Sequence, residues 1–515
     1  MSLDAAEVGE PTGADDDFLW GVATSAYQSE GGYNLPGGPH TNWAYAEFNG
    51  HVDRLGQAAD FWNRYLDDFA AARRVGLNAF RLGIEWSRVQ PSASAVAGPA
   101  PEFDPAALDG YGDMLAQCRA EGLEPVVTLH HFVHPAWLGS DAWLCEQTLA
   151  HFLRYVRTAV THVNRRLATK NQAPIRYYLT VNEPNMLVLN TYLGTQFPSG
   201  ARRGLANALT ASDLLLTAHV EAYNLIHDIH ASEGWATPQV SLNNYCSDLY
   251  WADKLFLDLL TIRERGIEPH GMAGHIRSKA SEFARTLKGW NIPLRRDWAA
   301  LLGRAVKWFS EACAYRLFRP EHFPRLQRCL AQSPRSRVLD FVALDYYDPF
   351  SAHTFRRPVF WDHDFIGGSL FFRALGAMTS KWWDWQVTPR GLSFFCEYYS
   401  RDLNDLPVLI AENGMAIRRR LDNVGSPRTD GVTRSEFLRL HIAEVNALID
   451  AGVPLFGYLH WSLFDNYEWG TYSPRFGLFS LDYQQGTERL TVDQHGDCAS
   501  HTYASLVRAA RRGRK

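Results

Sequence analysis

Strand-like apolar runs alternate along this chain with stretches whose apolar positions recur at helical spacing. The first strand is expected over 18–28. A helix follows over 60–75, where Phe61, Tyr65, Leu66, Phe69 and Ala72 repeat on one face. Further strands are expected over 79–89, 125–132, 177–181, 239–246, 341–347, 408–411 and 455–461. Helical stretches over 104–121, 145–168, 206–232 and 433–451 separate them, the last stopped by Gly452. Strands in strict alternation with helices predict an α/β fold of parallel βα units. Eight of them is the count of a single-domain (β/α)8 TIM barrel.

Two connections exceed ordinary βα loops and read as insertions after strands five and six. The first, 247–339, is helix-rich. The second, 348–407, is crowded with aromatics, among them Phe360, Trp361, Phe371, Trp382, Trp383 and Trp385. Both leave strands at the end where barrels carry their chemistry, so both are expected to wall the mouth. No repeat or composition shift marks a second domain. The barrel is expected over 18–507, between a flexible acidic amino-terminal segment, 1–17, and a frayed basic tail, 508–515.

Composition narrows the functional classes. A net charge of -5 gives no sign of nucleic-acid binding. Seven cysteines are scattered singly, without a CxxC pair. That argues against a disulfide framework and against a zinc site, and it fits a reducing cytoplasm. Residues 1–17 have neither the basic nor the apolar region of a secretory signal, and no apolar run approaches the length of a transmembrane helix. The aromatic content is high: 17 Trp, 22 Tyr and 28 Phe. A large core absorbs many of these, and aromatic faces are also platforms for sugar rings.

Two strand ends carry the chemistry. Tyr177 to Val181 runs into Asn182-Glu183-Pro184, and Pro184 cannot donate to a ladder, so the strand is expected to stop there. Val408 to Ala411 runs into Glu412-Asn413-Gly414. One such Glu alone would be an ordinary solvated charge or a helix cap. Two strand-end carboxyls suit a retaining glycosidase, which sets them about 5–5.5 Å apart.

The chain resembles the family 1 glycoside hydrolases, and the resemblance runs from Phe18 to Tyr483. Its carriers are the run Phe18 to Gly31, Arg81 with Glu85-Trp86-Ser87-Arg88, Leu129-His130-His131-Phe132, the two Glu motifs, and the run His460 to Trp469. By that resemblance Glu183 is the acid/base and Glu412 the nucleophile, with Arg81 and Tyr347 beside it. Gln28, His131, Asn182, Trp461, Glu468 and Trp469 match positions that hold the non-reducing sugar. Their amides, carboxylate and indoles suit a ring that both donates and accepts hydrogen bonds. Glu468 would repel the phosphate of a 6-phosphorylated sugar. The resemblance therefore implies a cytoplasmic retaining exo-β-glycosidase acting on unphosphorylated β-D-glucosides, with β-galactosides or β-fucosides as second substrates and no cofactor.

The chain departs from the family pattern at four places. Phe132 stands where Trp is usual, Asp345 where Asn is usual, and Glu85 where many members carry Ser. The turn after Trp469 is one residue short. Two alternatives keep the same barrel: a transglycosidase moving sugar to an alcohol or lipid acceptor, with an apolar aglycone held by 348–407, and a sugar-binding barrel without catalysis.

Overall fold

The structure is a computed structural model. It describes residues 18–194, 196–200, 202–294, 296, 298–317, 319–351, 385–419, 425–426, 428, 430–483 and 486–513. Eight parallel strands close on themselves: β1 (Leu19–Ala23), β2 (Ala79–Gly83), β3 (Glu124–Thr128), β4 (Tyr177–Asn182), β5 (Gln239–Tyr245), β6 (Val342–Tyr346), β7 (Val408–Asn413) and β8 (Leu455–Trp461). Each pairs with its neighbours in sequence, and β8 returns to β1. This is the expected (β/α)8 barrel, with helices outside.

Alternation along each strand sorts the core into two layers. Leu19, Ala79, Val126, Leu179, Ala343, Leu409 and Leu459 pack together inside the barrel. Their neighbours Val22, Phe80, Leu82, Val127, Tyr178, Leu344 and Ile410 pack outward under the helices. Small inward residues at Ala79, Ala343 and Ala411 leave room for larger groups at the carboxyl end, above them.

The helices begin and end where local chemistry allows. Thr433 caps Arg434–Asp450 by accepting from the Glu436 backbone N–H, and Gly452 follows at φ 77°. Asp104 caps Pro105–Ala120 in the same way, through the Ala106 N–H.

Three expected strands end early. β1 stops at Ala23, and Gln28 lies instead in the helix Ala26–Glu30. β2 stops at Gly83 because the Glu85 side chain accepts from the Ser87 N–H and opens a turn of helix, Trp86–Val89. β3 stops at Thr128, and Phe132 beyond it has φ 69°, which no strand accommodates.

The basic carboxyl-terminal segment is also not a frayed tail over 508–513. It continues the helix Ala499–Gly513, buries Ala510, and ties down through Arg511 Nη1, which donates to the Gly76 carbonyl at 2.7 Å. The insertion after β5 is helical as expected, with Lys254–Leu260, Met272–Gly289 and Trp298–Leu317. The expectations for 1–17 and for the aromatics between Phe355 and Trp383 lie outside the described residues. Among the described residues no helix is long and apolar enough to cross a membrane.

Candidate active site

The site is assembled at the carboxyl ends of the strands. In β2 the inward positions are Ala79 and Arg81, so the guanidinium rises through the centre of the barrel, fully buried. Its Nε donates to Thr128 Oγ1 at 2.9 Å, Nη2 to Asn182 Oδ1 at 2.5 Å, and Nη1 to Glu412 Oε1 at 2.7 Å. One side chain thus joins β2, β3, β4 and β7. Tyr347 Oη donates to the other oxygen, Glu412 Oε2, at 2.7 Å.

Strict alternation does not put Glu412 there. Leu409 and Ala411 face inward, so the next residue should point out. The β6–β7 register slips between Leu344↔Ile410 and Asp345↔Glu412, and this irregularity turns the carboxylate into the barrel. A similar slip between Leu179 and Asn182 in the β4–β5 pairing sends Val181 to the outer layer and brings Asn182 to Arg81.

Glu183 follows at φ 36°, left-handed, with Pro184 opening the helix Pro184–Val188. Its backbone is fixed on both sides: the N–H donates to the Asn243 carbonyl at 2.8 Å, and its carbonyl accepts from the Leu187 N–H at 2.9 Å. Phe132, Asp348 and Trp469 share this left-handed conformation, so four strand-end loops hold a strained non-glycine residue around the mouth.

The carboxyl of Glu183 comes close to that of Glu412. One oxygen each of Glu183, Asp345 and Glu412 lies within 4.8 Å of one oxygen of each of the others, and all three residues are buried. Arg81 lies beside them, 2.7 Å from Glu412 and 3.8 Å from Asp345 Oδ1. A carboxylate held by two donors next to a second carboxyl can attack one face of a substrate carbon while its neighbour moves a proton.

The remaining expected residues form one connected wall. Asn182 Nδ2 meets His131 Nε2 at 3.2 Å. The imidazole lies flat between Trp461 and Trp469, at centroid distances of 5.8 and 5.6 Å. Burial, with Arg81 adding to it, holds the His131 pKa well below the usual imidazole range, so the ring is neutral. Trp461 Nε1 donates to Glu468 Oε1 at 3.1 Å. Gln28 Nε2 donates to the Tyr467 carbonyl at 2.8 Å, beside Glu468. The turn after Trp469 closes through the Glu468 N–H, which donates to the Thr471 carbonyl at 2.8 Å. Phe132 fills its position by packing on Trp469, 4.8 Å between ring centroids.

Sequence reading missed two residues that this geometry makes central. Asn243, on β5, donates through Nδ2 to Asn182 Oδ1 at 2.6 Å and also to Asp345 Oδ2. Tyr245, two residues on, stacks on Tyr347. Their signal was a third strand-end amide, Leu242-Asn243-Asn244-Tyr245, of the kind already read at Asn182 and Asn413.

Comparison with known proteins agrees with the barrel fold. A beta-glucosidase from Thermotoga maritima shares the fold, with a TM-score of 0.65 at 22% identity over 96% of this chain and 98% of that one. The chain is 25% identical to a 6-phospho-beta-galactosidase of Lacticaseibacillus casei over 492 residues, covering 91% of this chain and 93% of that protein. It is 24% identical to a 6-phospho-beta-galactosidase of Clostridium acetobutylicum over 498 residues, with the same coverage. The model of glycosyl hydrolase family 1 matches residues 13–268 and 331–499, and the gap falls within the helical insertion after β5. With barrel and strand-end carboxyls in place, this chain belongs to glycosyl hydrolase family 1 and is a glycosidase.

Proposed function

We propose that the enzyme is a retaining exo-β-glycosidase that hydrolyses unphosphorylated β-D-glucosides, with β-galactosides and β-fucosides as further substrates. The observation that carries this reading is the approach of Glu183 and Glu412 within 4.8 Å, with Glu412 gripped by Arg81 and Tyr347. An inverting enzyme leaves room for water between its carboxyls, about 6.5–9.5 Å. The approach of Glu183 and Glu412 favours the closer, retaining spacing of about 5–5.5 Å.

In this mechanism Glu183 donates its proton to the glycosidic oxygen as that bond breaks. Glu412 attacks the anomeric carbon from the opposite face and becomes an ester. Its negative charge disappears, so Arg81 and Tyr347 lose their anionic partner, and Glu183, now ionised, takes a proton from water. That water's oxygen attacks the anomeric carbon and releases Glu412 as a carboxylate. Asn182, held by Arg81 and Asn243, presents its remaining amide hydrogen toward the sugar's 2-hydroxyl, where a bond that tightens in the transition state lowers the barrier.

Glu468 supports the unphosphorylated substrate. It is buried and accepts from Trp461 Nε1, and a carboxylate there opposes a phosphate dianion. The names of the curated relatives point the other way, which makes substrate choice the decisive test. Free cysteines at all seven positions support a reducing cytoplasm as its setting.

The test is kcat/KM across 4-nitrophenyl β-glucoside, β-galactoside, β-fucoside and β-mannoside, with the 6-phosphates of the first two. The expected order puts the free glucoside first, and Glu412→Gln abolishes turnover. Preference for either phosphorylated sugar overturns the substrate assignment. Full activity of Glu412→Gln overturns the mechanism.

A further inference from the structure

The insertion after β6 leaves the barrel directly beside the tyrosine that grips Glu412. The β6–β7 ladder ends at Tyr346↔Asn413, so Tyr347 stands one residue past it, and Asp348 turns the chain at φ 49°. Asp348 is fully buried. Its Oδ1 accepts from the Thr388 N–H at 2.8 Å and from Thr388 Oγ1 at 3.1 Å, and its Oδ2 accepts from Trp385 Nε1 at 3.1 Å. His441 Nε2, on the helix Arg434–Asp450, lies 3.4 Å from Oδ1. Tyr346 reaches the same segment, its Oη donating to the Thr388 carbonyl at 2.6 Å. Both chain neighbours of Tyr347 are therefore tied to residues 385–388, where the chain comes back to enter the helix Pro389–Asp402.

The ring of Tyr347 meets the same segment. Trp385 stands edge-on to it, with centroids 6.4 Å apart, and Phe476 packs on both. One indole thus binds Asp348 through its N–H and bears on Tyr347 through its ring.

We propose that Asp348 is a positioning residue for the reaction: by clamping Trp385 and Thr388 it holds the Tyr347 hydroxyl at its 2.7 Å bond to Glu412 Oε2. The inference rests on Glu412 acting as the nucleophile. A hydrogen bond weakens steeply once its angle opens, so the support Tyr347 gives the carboxylate depends on where its backbone and ring are set. Three donors converge on Asp348, which suits an ionised carboxylate, a group that only accepts. Burial by itself would raise this carboxyl, but His441 and the donors of Thr388 and Trp385 hold it below the usual range. Asparagine at 348 would turn its own N–H against one side of that cluster and loosen the clamp.

The titratable groups facing Asp348 are His441, Tyr245, Tyr346 and Tyr458, and those facing Tyr347 include Glu183, Asp345 and Glu412. Burial raises all four phenols, Tyr347 included, above their ordinary value, so none of them titrates between pH 4 and 8.

The experiment measures kcat/KM from pH 4 to 8 for wild type, Asp348→Asn, Tyr347→Phe and the double variant, on the 4-nitrophenyl glycoside that wild type turns over fastest. The acid limb of Asp348→Asn is expected about 0.5 pH unit or more above that of wild type, and no higher than that of Tyr347→Phe. The limb of the double variant is expected to coincide with that of Tyr347→Phe, because Asp348 acts through the hydroxyl that is already gone. An Asp348 that acted only as an anion near Glu412 would give the opposite sign, since its removal eases ionisation of the nucleophile. A limb that is unmoved or lowered in Asp348→Asn, or a shift as large without the Tyr347 hydroxyl as with it, overturns the inference.

Trp385→Phe, which keeps a ring against Tyr347 and removes one donor to Asp348, repeats the test if Asp348→Asn does not fold. Failure of both to fold would make the cluster a structural one and overturn the inference as well. Full activity of Glu412→Gln rejects the underlying reading and the inference together, whereas an inactive Glu412→Gln with coincident limbs for wild type and Asp348→Asn rejects the role of Asp348 alone.

Discussion

Glu412 is held at both oxygens, by Arg81 on one and Tyr347 on the other, and the two bonds do different work. Arg81 supplies charge. Tyr347 supplies a neutral donor whose bond, in the proposed mechanism, weakens as the carboxylate becomes an ester. A hydrogen bond to a charged group contributes about 1.5–3 kcal/mol. Tyr347→Phe is therefore expected to move the acid limb of kcat/KM up by about 1–2 pH units, since one of the groups favouring the carboxylate is gone. Initial rates from pH 4 to 8, with circular dichroism as a check on folding, measure the shift. An unchanged acid limb would mean that Arg81 alone keeps Glu412 ionised.

At the scale of elements, the barrel is pinned from inside by a single side chain. Arg81 reaches Thr128 on β3, Asn182 on β4, and both the Ala411 carbonyl and Glu412 on β7. Removing one partner of a buried ion pair costs about 3–5 kcal/mol, because the remaining charge is stranded. Arg81→Met is expected to lose that much stability at pH 7 in urea unfolding, together with activity. Arg81→Lys should fall between it and wild type, since an ammonium lacks the planar fork that serves several strands at once. Equal stability of wild type and Arg81→Met would show that the strands hold their register without the guanidinium.

Across the whole molecule, a second buried carboxyl ties stability to pH. Burial pushes Glu85 up to about 8, against the pull of the Ser87 N–H, from an ordinary value of 4.5. Between those two values the folded chain holds a proton that the unfolded chain has released. Stability therefore falls as pH rises through this interval and levels off above about 8. Glu85→Gln keeps an oxygen for the Ser87 N–H and removes the titration. It is expected to match wild type below pH 4.5 and to exceed it by a few kcal/mol near pH 8, read by urea unfolding at pH 5, 6, 7 and 8. A constant difference across that range would assign the effect to packing.

The sequence by itself determined the eight βα units and the two carboxyls at strand ends. Apolar periodicity, Pro184 and Gly452 act locally, and local sterics and burial decide them. Arg81 and Tyr347 were also legible, through the family resemblance, and both face the barrel interior. What was not legible came from contacts between distant segments. Glu412 and Asn182 face the site only because ladder registers slip, and a register is a property of two strands. Asn243 and Tyr245 joined the site through neighbours far away in sequence. The departure at Asp345 was visible as a letter. Only the tertiary structure decided where it stands, by bringing three buried carboxyls from three strand ends within 4.8 Å of one another.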